Sequence, residues 1–194
     1  MQKKLKRILI IILILLFIVS GIRFIYNVID PRGFFGIGLP SKMKVHVNET
    51  GNFLILHPET WTAVDTPQGN HGDLDNIAII KPFRTWPSLH IAAKEFPEGN
   101  FDQVAQWGET RIDVFPHYNQ KALDNFATPN ISGISRAYVW QADSLFSKEI
   151  PIQCTDYYTL VNDTGYILQF CTEQSQRSDM ESVFQQMIDS FQVR

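Results

Sequence analysis

No acidic residue occurs before Asp30, and none of the short signatures of the common enzyme classes occurs anywhere in the chain. There is no G-x-S-x-G nucleophile elbow, no P-loop and no G-x-G-x-x-G. The glycines of "GFFGIG", Gly33 to Gly38, have the wrong spacing. The five histidines, His46, His57, His71, His90 and His117, form no H-x-x-x-H or H-E-x-x-H pair. Catalytic groups can still meet from distant parts of a chain, so these gaps lower an enzyme reading without abolishing it. Internal repeats, low-complexity tracts and heptads are also missing, which excludes solenoids, linker-like chains and coiled coils.

Charge is unevenly spread. Lys3, Lys4, Lys6, Arg7 and Arg23 are five of the 17 basic residues. After Ile29 there remain 12 basic and 20 acidic residues, a net charge of −8. A domain this acidic lacks the basic face that neutralises phosphates, so nucleic acid is not an expected partner.

What is present at the N-terminus is a basic cluster followed by "ILIIILILLFIV", Ile8 to Val19. A bilayer core needs about 20 residues of helix. That length is reached at Ile29 if Arg23 snorkels to the headgroups and Tyr26 lies at the interface. A cleaved signal peptide competes with this, using Val19 and Gly21 as small-residue cleavage positions. The apolar, aromatic continuation past Gly21 favours an uncleaved anchor. No cysteine lies near the end of the run, which argues against a lipoprotein. The positive-inside rule leaves the N-terminus in the cytoplasm, a single pass through the cell membrane, and the rest on the extracytoplasmic side.

Three regions follow: an anchor at 1–29, a juxtamembrane linker at 30–47 and a globular domain at 48–194. The linker is punctuated by Pro and Gly. Its Phe34, Phe35, Ile37 and Leu39 suit either the membrane surface or a packed position on the domain.

In the domain, Phe53–Leu56 and Trp61–Val64 are short strands joined by a turn at Pro58. Asn76–Lys81 and Leu89–Phe96 are the next two. Asn100 caps a helix over Phe101–Ile112, with apolar residues at helical spacing. An irregular stretch then runs to Ser132. Strands at Gly133–Gln141, Ile152–Val161 and Tyr166–Thr172 follow, the last two joined by the hairpin turn "NDTG". Ser178 and Glu181 form a capping box for a final helix whose Met180, Val183, Phe184, Met187, Ile188 and Phe191 make one apolar stripe. Short connections between strands point to an antiparallel sheet with helices packed on it, an α+β architecture.

Candidate sites are few. His71, Asp73 and Asp75 in "NHGDLDN" could hold a divalent cation, though the Gly and distal Glu of an EF-hand are missing and a solvated turn explains the same residues. No other cofactor is expected. Arg84 and Trp86, in a turn-rich loop, could form an exposed binding surface. His57 and Glu59 read as flanks of the Pro58 turn, and Trp61 as a core residue.

Cys154 and Cys171 lie on the two strands of the "NDTG" hairpin. A disulfide is permitted outside the cytoplasm, and register decides it. A two-residue loop sets them opposite one another, and Val161 opposite Tyr166 sets them diagonal on one face. A three-residue bulged loop puts them on opposite faces. The apolar pattern favours the bulged loop, and with it buried free thiols.

Several stretches resemble the PsbP-like domain family. The strand ending at His57-Pro58 with Trp61 beyond it is similar to that family's aromatic-x-Pro-x-x-Trp opening. "ISGISRAYVW", "GYILQF" and the closing "FQQMIDSF" are similar to its later strands and last helix. The resemblance spans about Asn48 to Arg194. It implies an α-β-α sandwich around a central antiparallel sheet, here preceded by one N-terminal transmembrane helix. It also implies a binding, assembly or accessory role without catalytic residues. The chain is therefore read as a membrane-anchored, non-enzymatic module that binds an unidentified envelope protein. The alternative is a metal- or small-ligand-binding sensor domain using the His71–Asp75 loop; an unrecognised hydrolase comes third.

Overall fold

The computed structural model describes residues 42–66, 75–80, 85–112, 114–143 and 149–194. The anchor and residues 30–41 of the linker lie outside the described residues, as do His71, Asp73 and Arg84. No helix among the described residues is long and apolar enough to cross a membrane.

The chain runs β1 (Met43–Asn48), β2 (Phe53–Pro58), β3 (Thr62–Thr66), β4 (Asp75–Ile80) and β5 (Ser88–Glu95). Helix α1 (Phe101–Ile112) follows, then β6 (Asn119–Ala127), β7 (Ser132–Ala142), β8 (Ile150–Val161) and β9 (Thr164–Glu173). A 3-10 turn (Gln174–Gln176), helix α2 (Arg177–Ser190) and β10 (Gln192–Val193) close it. Every strand pair is antiparallel. There are two sheets, where one was expected: β1-β2-β10, and a seven-stranded sheet ordered β3-β4-β5-β9-β8-β7-β6.

One helix packs on each face of the large sheet. On one side, α2 buries its stripe of Met180, Phe184, Met187 and Ile188 against Leu89 and Phe170. Trp61, 1% exposed, seals this core with its ring edge-on to Phe184 at 6.5 Å. On the other side, α1 buries Val104, Trp107, Gly108 and Ile112, positions that recur along one helical face. Its first turn is capped by Asn100, whose Oδ1 accepts the Asp102 N–H at 2.8 Å. At Gly108 a Cβ would stand 2.1 Å from the Tyr158 ring, so only glycine lets the helix lie this close to β8.

Four expectations need correction. The domain includes β1, all of which except Asn48 lies in the stretch that reads as linker; it pairs along its whole length with β2. The stretch read as irregular contains β6, an edge strand whose mostly exposed "NQKALDNFA" carries no apolar alternation. The Ser178–Glu181 capping box is not used: α2 starts at Arg177 out of the 3-10 turn, and its N-cap is Gln176 with no side-chain cap. Finally, the β8–β9 loop has two residues. Asn162 and Asp163 both take the left-handed conformation of a tight hairpin turn, at φ 48° and 60°, so Val161 faces Thr164.

Candidate functional site

The two-residue turn decides what meets across the centre of the sheet. It sets Asp156 of β8 opposite Gln169 of β9, and β7 sets Arg136 opposite Asp156. His90 of β5 faces Gln169 from the other side. A polar row, Arg136–Asp156–Gln169–His90, thus crosses four adjacent strands on the face that α1 covers.

Asp156 is its centre, and 1% exposed. Tyr138 donates its hydroxyl toward both carboxylate oxygens, at 3.2 and 3.3 Å, and Tyr158 donates to Oδ2 at 3.1 Å. Gln169 Nε2 in turn donates to the Tyr138 hydroxyl at 2.8 Å. Arg136 lies over the Tyr158 ring, 5.6 Å from its centroid, and donates to Glu109 of α1 at 3.0 Å. Burial pushes the Asp156 carboxyl up to about 7, against the pull of its tyrosine and glutamine hydrogen bonds and of Arg136. Burial, together with the charge of Asp156, pushes both tyrosine hydroxyls well above their ordinary range. His90 is held neutral, its pKa lowered by burial and by Arg111.

Such a network holds a proton at a carboxyl that titrates near neutrality. It is buried, and it runs out to Arg136 at the edge of the covered region. Toward β6 and the Ile134 end of β7 the cover ends among the described residues, because α1 lies mainly over β8 and β9 and meets β7 at Tyr138, which packs with Ile112. The same face of β6 and β7 carries Leu123, 51% exposed, and the half-buried Ile134. A recess of about 440 Å³ opens there, lined by Phe101, Asn125, Ser132, Gly133, Ile134 and Leu160.

The residues singled out in the sequence fall in different places. Cys154 and Cys171 face each other in the row next to Asp156 and Gln169 and are bonded, S–S 2.06 Å. The free-thiol arrangement that the apolar pattern favoured does not form. Trp86 is half-buried, with its ring edge-on to Trp140 at 5.9 Å in a cluster with Phe115 and Tyr118. It therefore packs on the domain and does not stand free as a binding surface. Arg84, its expected companion, lies outside the described residues, as do His71 and Asp73; Asp75 begins β4. No group of three His, Cys, Asp or Glu side chains among the described residues could hold a metal ion. His57 is buried, its Nδ1 3.0 Å from the Pro58 carbonyl, whereas Glu59 is exposed. Burial, reinforced by Lys44, pulls the His57 pKa down to about 4.

Asp156 escaped the sequence reading. Its signal was nevertheless there: an acid in mid-strand that shares a face with Ile152, Cys154, Tyr158 and Leu160.

No protein-family model matches this chain, and no curated protein does. Solved structures do. The solution structure of the cyanobacterial PsbP protein CyanoP from Synechocystis matches with a TM-score of 0.60 at 13% identity, covering 84% of this chain and 98% of that one. A crystal structure from Bacteroides thetaiotaomicron matches with a TM-score of 0.51 at 8% identity, covering 78% of this chain and 48% of that one. The Ran-binding protein Mog1p of Saccharomyces cerevisiae gives 0.48 at 11% identity, covering 79% and 96%. With almost the whole of CyanoP matched, at an identity that speaks for fold alone, the domain has the PsbP-like fold.

Proposed function

We propose that this chain is a membrane-anchored PsbP-like domain, held on the extracytoplasmic side, that binds or helps assemble an envelope protein and performs no catalysis. The observation that carries the binding role is the uncovered face of β6 and of the Ile134 end of β7. There an apolar side chain, Leu123, stands 51% exposed beside a recess, while the neighbouring strands are roofed by α1. A rigid sheet floor with one exposed aliphatic anchor suits a protein partner better than a small reactant. The Cys154–Cys171 bond supports the compartment, since disulfides persist outside the reducing cytoplasm. The basic cluster and apolar run at the N-terminus support the anchor.

A photo-crosslinking residue at Leu123, in the full chain in its native membrane, tests the binding role. The expected result is one discrete protein adduct. The same probe at Val64, on the opposite edge of the sheet, should not form it. A repeated absence of any adduct at Leu123, under conditions where the probe reacts with free amines, sinks the partner reading.

A further inference from the structure

We infer that the outer face of the small sheet lies on the lipid surface of the membrane, an inference that rests on the anchored reading above. Strand β2 reads "FLILHP" and is apolar on both sides. Phe53 and Ile55 point inward and are buried in the core beneath α2. Leu54 and Leu56 point the other way and are only half-buried. Register sets Val45 of β1 opposite Leu56 and Val47 opposite Leu54. Val45 and Val47 are 57% and 43% exposed. Four aliphatic side chains therefore form a single block on a sheet face that none of the described elements covers. A sheet with one wet face ordinarily alternates, with polar residues on that side. This sheet breaks the rule on both strands.

The chain's own course points to the occupant. The apolar N-terminal run ends at Ile29 and β1 begins at Met43, so thirteen residues, 30–42, connect them. Fully extended, they reach about 45 Å. The first strand after the anchor is thus confined to the bilayer surface, and confinement makes even a weak lipid contact well populated. Aliphatic side chains enter the headgroup–acyl boundary without needing a shaped partner. Charge adds nothing to the contact: Lys44 alternates to the other face of β1, opposite His57, and the chain after Ile29 carries a net charge of −8.

The full chain, reconstituted in phosphatidylcholine–phosphatidylglycerol vesicles, allows a direct test. Both native cysteines are bonded, so a Val45→Cys variant accepts a single environment-sensitive NBD label. The label should emit to the blue and lose most of its intensity to doxyl-bearing lipid. A label at Val114→Cys, a position 74% exposed elsewhere on the domain, should stay water-like and unquenched. Adding Val47→Asp and Leu54→Asp to the Val45→Cys chain should return its label to water. Flotation of the same vesicles separates the two ideas. A chain that does not float removes the anchored reading and this contact with it. A chain that floats with its Val45 label unquenched overturns the lipid contact alone. That holds whether the label is wet or is shielded by the preceding chain segment or a second copy.

Discussion

Replacing Asp156 by Asn tests whether its carboxyl titrates inside the folded domain. An ordinary carboxyl loses its proton near 3.8; burial moves this one to about 7. Between those values the folded protein keeps a proton that the unfolded chain has released. Stability must then fall as pH rises through the window, and level off above it. One proton is worth ~1.4 kcal/mol per pH unit, so about three units set a ceiling of about 4 kcal/mol. His57 works in the opposite sense. Its pKa drops from 6.5 to about 4, so the unfolded chain binds a proton that the fold excludes. That contribution raises stability between those values, by at most about 3 kcal/mol. His90, also shifted down, adds to the rise. The wild-type profile is therefore muted, because opposed slopes overlap. Asp156→Asn removes the falling one and keeps the tyrosine hydroxyls supplied with an acceptor. Urea unfolding at several pH values between about 4 and 8 should show the variant gaining on the wild type as pH rises, by up to about 4 kcal/mol. Parallel profiles for the two proteins would refute the placement of a titrating carboxyl at this position.

Trp61→Ala should lower stability by about 3–5 kcal/mol, since the removed ring leaves a cavity against Phe184; a loss under 1 kcal/mol in urea unfolding would contradict its place in the core. Gly108→Ala should destabilise by about 1–3 kcal/mol despite its better helix propensity, because the new Cβ meets the buried Tyr158 ring. An increase in melting temperature would show that α1 stands further from the sheet. Cys154→Ser with Cys171→Ser should remove roughly 3 kcal/mol for a bond closing a loop of 17 residues. Maleimide labelling of the denatured wild type should find no free thiol, and labelling of two thiols would refute the bond.

The sequence announced some elements and hid others for physical reasons. Helix α1 was legible because Asn100 supplies a cap and one apolar stripe follows it. The β8–β9 hairpin was legible because Asn-Asp-Thr-Gly suits a left-handed turn. Its register was not. In β9 the side chains of Tyr166, Ile167 and Leu168 are all buried, so alternation that would mark one face is erased. Counting apolar residues then favoured the wrong loop length and the free thiols. Strand β6 was hidden for the converse reason: an edge strand with few buried side chains shows no pattern. The Asp156 network was hidden because its members come from β7, β8, β9 and α1. No window of sequence contains them together.

The polar row and the disulfide constrain the same degree of freedom. Sliding β9 by two residues along β8 would keep each side chain on its face. It would also bring Asp156 opposite Cys171 or Ile167, leaving a buried carboxyl with the loss of its Gln169 neighbour. Asp156 would keep the Tyr138 and Tyr158 hydroxyls, but the row would lose Gln169 and its donation to Tyr138, so the observed register is the one that satisfies the buried polar groups in full. Once the strands pair this way, Cys154 and Cys171 stand opposite each other and oxidation makes the choice permanent. An acid at the centre of a core strand thus has a structural use. It helps select the β8–β9 pairing, while the separate β7–β8 pairing sets Arg136 opposite it and so beside Glu109 at the end of the covered region.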